Sequence, residues 1–139
     1  MTMIPWETRV VGAVDLRDRA AGPAEYAFWT RVGSVDLDDR TATHQALLAY
    51  ATDLTVIGTA LRPLEGLSQA DAREALHTAV PGHSVWFHRP FRIADWCLIS
   101  QQAPVVAGAR AFGHGNAFDR DGMLVASFSQ ESMIRLVTA

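Results

Sequence analysis

Three features of this 139-residue chain put polar or very small residues where the surrounding pattern asks for bulk apolar ones. In the closing stretch "LVASFSQESMIRL", Leu124, Ala126, Phe128, Gln130, Ser132, Ile134 and Leu136 recur with a period of two and would share one strand face. Ser127, Ser129, Glu131 and Arg135 fall on the other. An amide on the apolar face must find hydrogen-bond partners or cost roughly 1–3 kcal/mol. Gln130 therefore either satisfies a backbone group near the strand end or belongs to a site. Asp53 is the second feature. In "HQALLAYATDLTVIGTAL" it lies about a quarter turn from the centre of the apolar stripe, beside Ala46, Ala49 and Ala60. A carboxylate ringed by alanines has space next to it, and partial burial suits a proton acceptor. The plainer reading is a boundary aspartate in water or paired with Arg62. Third, "ARAFGHGNAF" alternates tiny residues (Ala109, Ala111, Gly113, Gly115, Ala117) with large ones. Such a face lets something approach the backbone closely, either a tightly packed helix or a narrow ligand channel.

Other reactive side chains carry less. The five histidines, His44, His77, His83, His88 and His114, have no metal-ligand spacing, so no metal is expected. Cys97 beside Trp96 reads as a small buried apolar residue, and as the only cysteine it makes no internal disulfide. No G-x-S-x-G elbow, P-loop or G-x-G-x-x-G is present, and no cofactor is implied. Arg89, Arg92 and Arg110 could meet phosphates or be ordinary surface charges.

These residues need elements to hold them. Strand-like runs cover Thr8 to Leu16, Glu25 to Gly33, Ser84 to Arg89, Asp95 to Gln102, Ala109 to Phe118 and Met123 to Leu136. "DRDG" (Asp119 to Gly122) supplies a hairpin turn between the last two. Between the second and third runs, Leu47, Tyr50, Ala51, Leu54, Gly58 and Leu61 predict one amphipathic helix over His44 to Leu61. "RPLEGLSQADAREALHTAVPG" then reads as a connector. The order β-β-α-β-β-β-β is α+β: one long helix against a mostly antiparallel six-stranded sheet, a single domain over residues 1–139. "HSVWFHRPF" (His83 to Phe91) is polar on neither strand face, so both faces want cover. One helix covers only part of such a sheet, and the remaining apolar surface predicts a homo-oligomer.

Composition narrows the partners. A net charge of −3 without a basic cluster makes nucleic acid and acidic membrane surfaces poor partners. No apolar run approaches the roughly 20 residues of a membrane span, and "MTMIPWETRV" lacks a signal-peptide pattern. A cytoplasmic home is the expectation.

Taken in order, "HQALLAYATDL", "HSVWFHRPF", "DWCLISQQ" and "ARAFGHGNAFDRDGMLVASFSQESMIR" resemble the C-terminal half of the acyl-CoA thioesterase II family over nearly the whole chain. The resemblance implies a hot-dog fold and hydrolysis of fatty acyl-CoA without a serine or cysteine nucleophile. It implies an Asp on the central helix, a Gln on the last strand and a Thr or Ser holding and activating a water. The Asp falls on Asp53 and the Gln on Gln130, the two pattern-breaking residues. Asp53 would be the general base, Gln130 would orient the water, and backbone N–H groups near the helix start would polarise the thioester carbonyl. The small-residue strand and the apolar helix flank would line the acyl channel.

The hydroxyl is less clear. In the family it sits three residues before the histidine of "HS-WFH", with an acidic residue immediately before that histidine. Here those positions are Val80 and Gly82, which leaves Thr78, Ser84 or no hydroxyl. Family members usually carry two such repeats and this chain resembles one, so a second copy or another half is expected beside it. The competing reading is a non-catalytic acyl-CoA-binding or structural subunit. A hydratase ranks last, because Asp53 has no histidine a few residues on.

Overall fold

The computed structural model describes residues 3–73 and 75–137. Its strands are β1 (Glu7–Val10), β2 (Glu25–Arg31), β3 (Leu76–Phe87), β4 (Cys97–Ala107), β5 (Arg110–Phe118) and β6 (Leu124–Leu136). Helices α1 (Thr41–Asp53) and α2 (Val56–Leu61) and a 3₁₀ turn (Gln69–Arg73) lie between β2 and β3. All six strands form one antiparallel sheet in the order β1-β2-β4-β5-β6-β3. The α+β architecture with a central helix and a six-stranded sheet is therefore as expected.

Strand boundaries moved at two prolines. β3 starts at Leu76, eight residues before the expected Ser84, and its register shifts between Ala79 and Gly82, around Pro81. β4 runs on to Ala107 with a shift between Gln102 and Val105, around Pro104. Proline has no N–H for the ladder, so a proline-bearing run reads as loop. Here each strand bulges at its proline and resumes pairing. β4 and β5 are then joined by Gly108 and Ala109, both at φ +59°, the left-handed pair that a two-residue hairpin requires.

The central helix starts three residues earlier than expected and breaks at Leu54–Thr55. Threonines supply the reason, since their hydroxyls offer the backbone competing partners. Thr52 Oγ1 donates to Ala49 O at 2.8 Å, and Thr59 Oγ1 donates to Thr55 O at 2.8 Å. Gln101 on β4 then donates to both Thr55 Oγ1 and Thr59 Oγ1, each at 2.8 Å, tying the break to the sheet. The buried side of α1 is His44, Leu48, Ala51 and Thr52, whereas Tyr50 and Leu54 of the expected stripe are exposed. His44 is buried because both ring nitrogens are used: Nδ1 accepts from Ile93 N–H at 3.1 Å and Nε2 donates to Asp38 O at 2.9 Å.

The main core lies between α1, α2 and the concave side of the sheet, around Phe28, Leu48, Val56, Ile99, Val125 and Phe128. A smaller cluster of Leu61, Leu76, Ala111 and Ile134 closes the α2 end. The tiny residues of β5 belong to this packing. A Cβ on Gly113 would strike the Val56 side chain, and one on Gly115 would strike Phe128 and the β4 backbone. The tight-packing reading of that strand holds at both glycines.

Candidate active site

Gln130 is 1% exposed, on the concave face of β6 with Phe128, Ser132 and Ile134. Its amide Nε2 lies 2.9 Å from Ser132 Oγ, while Oε1 is buried without a partner. Its partner at the end of the strand is thus one hydroxyl, not a backbone group.

Opposite Gln130 in the β3–β6 register stands His83. Directly paired residues project on the same side of a sheet, so the two side chains are neighbours on the concave face. His83 Nε2 lies 2.9 Å from Thr52 Oγ1 on α1, and His83 Nδ1 is buried with no partner. Asp53 follows Thr52 as the last residue of α1. It is half-buried, and its Oδ1 is shielded from solvent without a hydrogen bond. The expected Arg62 contact is absent: that guanidinium donates to Glu25 O at 2.6 Å. His83 Nδ1 and Gln130 Oε1 are thus unpaired on register neighbours of β3 and β6, and Asp53 Oδ1 is unpaired on the residue that follows Thr52.

Thr78 and Ser84 do not join this group. Thr78 is on the concave face but pairs with Ile134, four residues from Gln130 and so ~13 Å along β6. Ser84 pairs with Ser129 on the convex face and is exposed. The hydroxyls beside the site are instead Thr52 and Ser132, which the sequence reading did not single out. His83 was also missed, although it shares a period-two face with Val85 and Phe87 and so was a polar residue on an apolar strand side. The N–H groups at the start of α1 lie twelve residues, ~18 Å, from Asp53 and cannot serve a carbonyl attacked there.

Two hollows flank α1. A slot of about 110 Å³ beside its C-terminal end is walled by Trp6, Tyr26, Phe28, Ala51, Leu54 and Thr55. A cleft of about 490 Å³ at its N-terminal end includes Thr41, His44, Phe87, Arg89 and Arg92. Arg92 pairs there with Asp39 at 2.6 Å, and Arg89 donates to Leu124 O at 2.7 Å. Cys97 is buried, and that burial, with Asp95 and Asp119 nearby, pushes its thiol up to about 12. A thiol so held supplies no thiolate near neutrality. Among the described residues, no three His, Cys, Asp or Glu side chains come together as a metal site.

The family model for acyl-CoA thioesterase matches residues 15–133. The chain belongs to the acyl-CoA thioesterase family. Within it, an acyl-coenzyme A thioesterase 8 from Mus musculus is 32% identical over 133 residues, covering 96% of this chain and 40% of that protein. An acyl-CoA thioesterase 2 from Haemophilus influenzae is 37% identical over 114 residues, 81% of this chain and 38% of its own. The crystal structure of an acyl-CoA thioesterase II from Mycobacterium marinum superposes with a TM-score of 0.75 at 33% identity, over 96% of this chain and 50% of that one. This member of the family thus spans about two fifths of the length of those curated relatives. The hot-dog fold implied by the sequence resemblance is the fold observed.

Proposed function

We propose that this chain hydrolyses acyl-CoA thioesters to a free acid and CoA by direct attack of an activated water. The observation that carries the reading is the unpaired, shielded Asp53 Oδ1 at the end of α1, one residue from the Thr52–His83–Gln130 line. In this reading Asp53 takes a proton as the water attacks the thioester carbon, and the Gln130 amide orients that water. The C–S bond then breaks, and the thiolate of CoA leaves with the proton that Asp53 held. No acyl-enzyme forms, consistent with a Cys97 thiol held at about 12.

The apolar slot beside Ala51 and Leu54 suits the acyl chain. The cleft with Arg89 and Arg92 lies ~18 Å away at the other end of α1, within reach of an extended pantetheine arm, and suits the phosphates of CoA. A second copy of the chain would complete the site. Edge strand β3 offers an unpaired backbone row, and Tyr50 on α1 and Leu54 just past its end are exposed. A lone thiol suits a reducing compartment, so we place the protein in the cytoplasm.

Thiol release from a panel of acyl-CoAs tests the hydrolytic reading. Wild type should release CoA, and Asp53→Asn should lower kcat by on the order of 10²–10⁴-fold while still binding substrate. Absence of release at every chain length, with acyl-CoA binding retained, would establish the rival, a non-catalytic binding subunit. Equal turnover in the two proteins would remove Asp53 from the mechanism.

A further inference from the structure

The hydrogen bonds around His83 can be assigned proton by proton. Thr52 Oγ1 lies 2.8 Å from Ala49 O, a carbonyl that can only accept, so the hydroxyl hydrogen is spent there. The 2.9 Å contact between Thr52 Oγ1 and His83 Nε2 must then be donated by the ring. In the neutral imidazole this fixes the Nε2–H tautomer and leaves Nδ1 with a bare lone pair. That lone pair is buried and unpartnered, and its register neighbour Gln130 also has one amide end unpartnered. The two do not bond each other, and one hydrogen-bonding group shared by both would satisfy them.

The Gln130 amide can meet such a group as a donor. Its two ends have the same shape, so a half-turn keeps the 2.9 Å contact with Ser132, now donated by the serine hydroxyl to Oε1. The amide N–H₂ then faces the gap. One water in the gap would receive an N–H from Gln130 and give one hydrogen to His83 Nδ1 and the other to Asp53 Oδ1. A water so placed would satisfy His83 Nδ1, Gln130 and Asp53 Oδ1 together and keep one lone pair free for an electrophilic carbon.

Building on the hydrolytic reading above, we propose that His83 is a further catalytic residue, locked by Thr52 in the Nε2–H tautomer so that its Nδ1 holds the second hydrogen of the attacking water. Asp53 accepts the proton that moves, and His83 aims the water without taking it. Thr52 acts through His83 and is a positioning residue.

Two measurements decide the matter. Long-range ¹H–¹⁵N correlation on histidine-labelled wild-type protein should show His83 protonated at Nε2 and bare at Nδ1. Thr52→Val, which removes the acceptor, should shift that tautomer balance. In the thiol-release assay, His83→Gln keeps a donor for Thr52 but loses the Nδ1 acceptor. It should lose on the order of 10²-fold in kcat, the scale of a misplaced nucleophile, with KM changed by less than about 3-fold. An Nδ1–H tautomer in wild type overturns the proposal even if the variant fails to fold. So does wild-type kcat in a folded His83→Gln, and with Asp53→Asn inactive that outcome leaves the hydrolytic reading standing. No release by wild type on any acyl-CoA overturns both.

Discussion

At the scale of single residues, the candidate site is a set of buried polar atoms that the fold leaves without partners. A folded chain rarely keeps several such atoms in one patch, because each forfeits the hydrogen bond it had in water. Gln130 shows the conflict best. It occupies a position that Phe128 and Ile134 mark as core, and only one end of its amide is used within the chain. Gln130→Met keeps the length and removes the amide. It should leave stability within about 1 kcal/mol in urea unfolding, since an orphaned group is removed along with a hydrogen bond. The same variant should lose on the order of 10²-fold in kcat. A variant that lost stability and kept kcat would instead make Gln130 structural. Both side chains flagged from the sequence, Asp53 and Gln130, were legible as breaks in a periodic pattern. His83 and Thr52 were not, because their meaning lies in a bond between residues 31 positions apart.

Elements position these groups through two interruptions and one close approach. α1 ends where threonine hydroxyls bond the helix carbonyls and Gln101 ties Thr55 and Thr59 to the sheet, which leaves Asp53 at a helix end instead of within a continuous rod. A bulge around Pro81 then shifts the β3 register by one residue, so that His83, and not Gly82, faces Gln130. α2 sits close on β5 because Gly113 has no side chain where Val56 packs. Gly113→Ala should therefore destabilise by about 1–3 kcal/mol, the usual cost of overpacking, read as a shift of the urea midpoint at unchanged slope. A neutral result would mean that α2 can slide on the sheet, and the Gln101 clamp would then not fix the helix break.

The whole molecule leaves surface uncovered that a lone domain of this size would seldom expose. Trp86 is 54% exposed on the convex side of edge strand β3, and Tyr50 is 53% exposed on α1. The second face of "HSVWFHRPF" thus remains open within one chain, apart from a small polar network of His88, Ser127 and Asn116. The second copy of the chain proposed above would cover it. Light scattering after gel filtration should give the mass of two chains or a multiple of two. A mass of one 15.2 kDa chain would mean that the exposed faces are tolerated or await another protein.

The sequence alone determined the fold class and the order of elements, and it pointed to two residues of the proposed site. Those properties follow from local periodicity, and an amide at a core position or a carboxylate among alanines stands out without any knowledge of neighbours. It misplaced the strand starts at Pro81 and Pro104, because a proline removes one ladder bond but does not forbid a bulge. It ran the helix through Leu54–Thr55, because the break depends on Gln101 reaching across from β4. That Thr52 and His83 meet, and that His83 stands opposite Gln130, was decided only in three dimensions. Register and hydrogen-bond partners are set by residues far away in the chain, and no spacing along it encodes which donor is left for which acceptor.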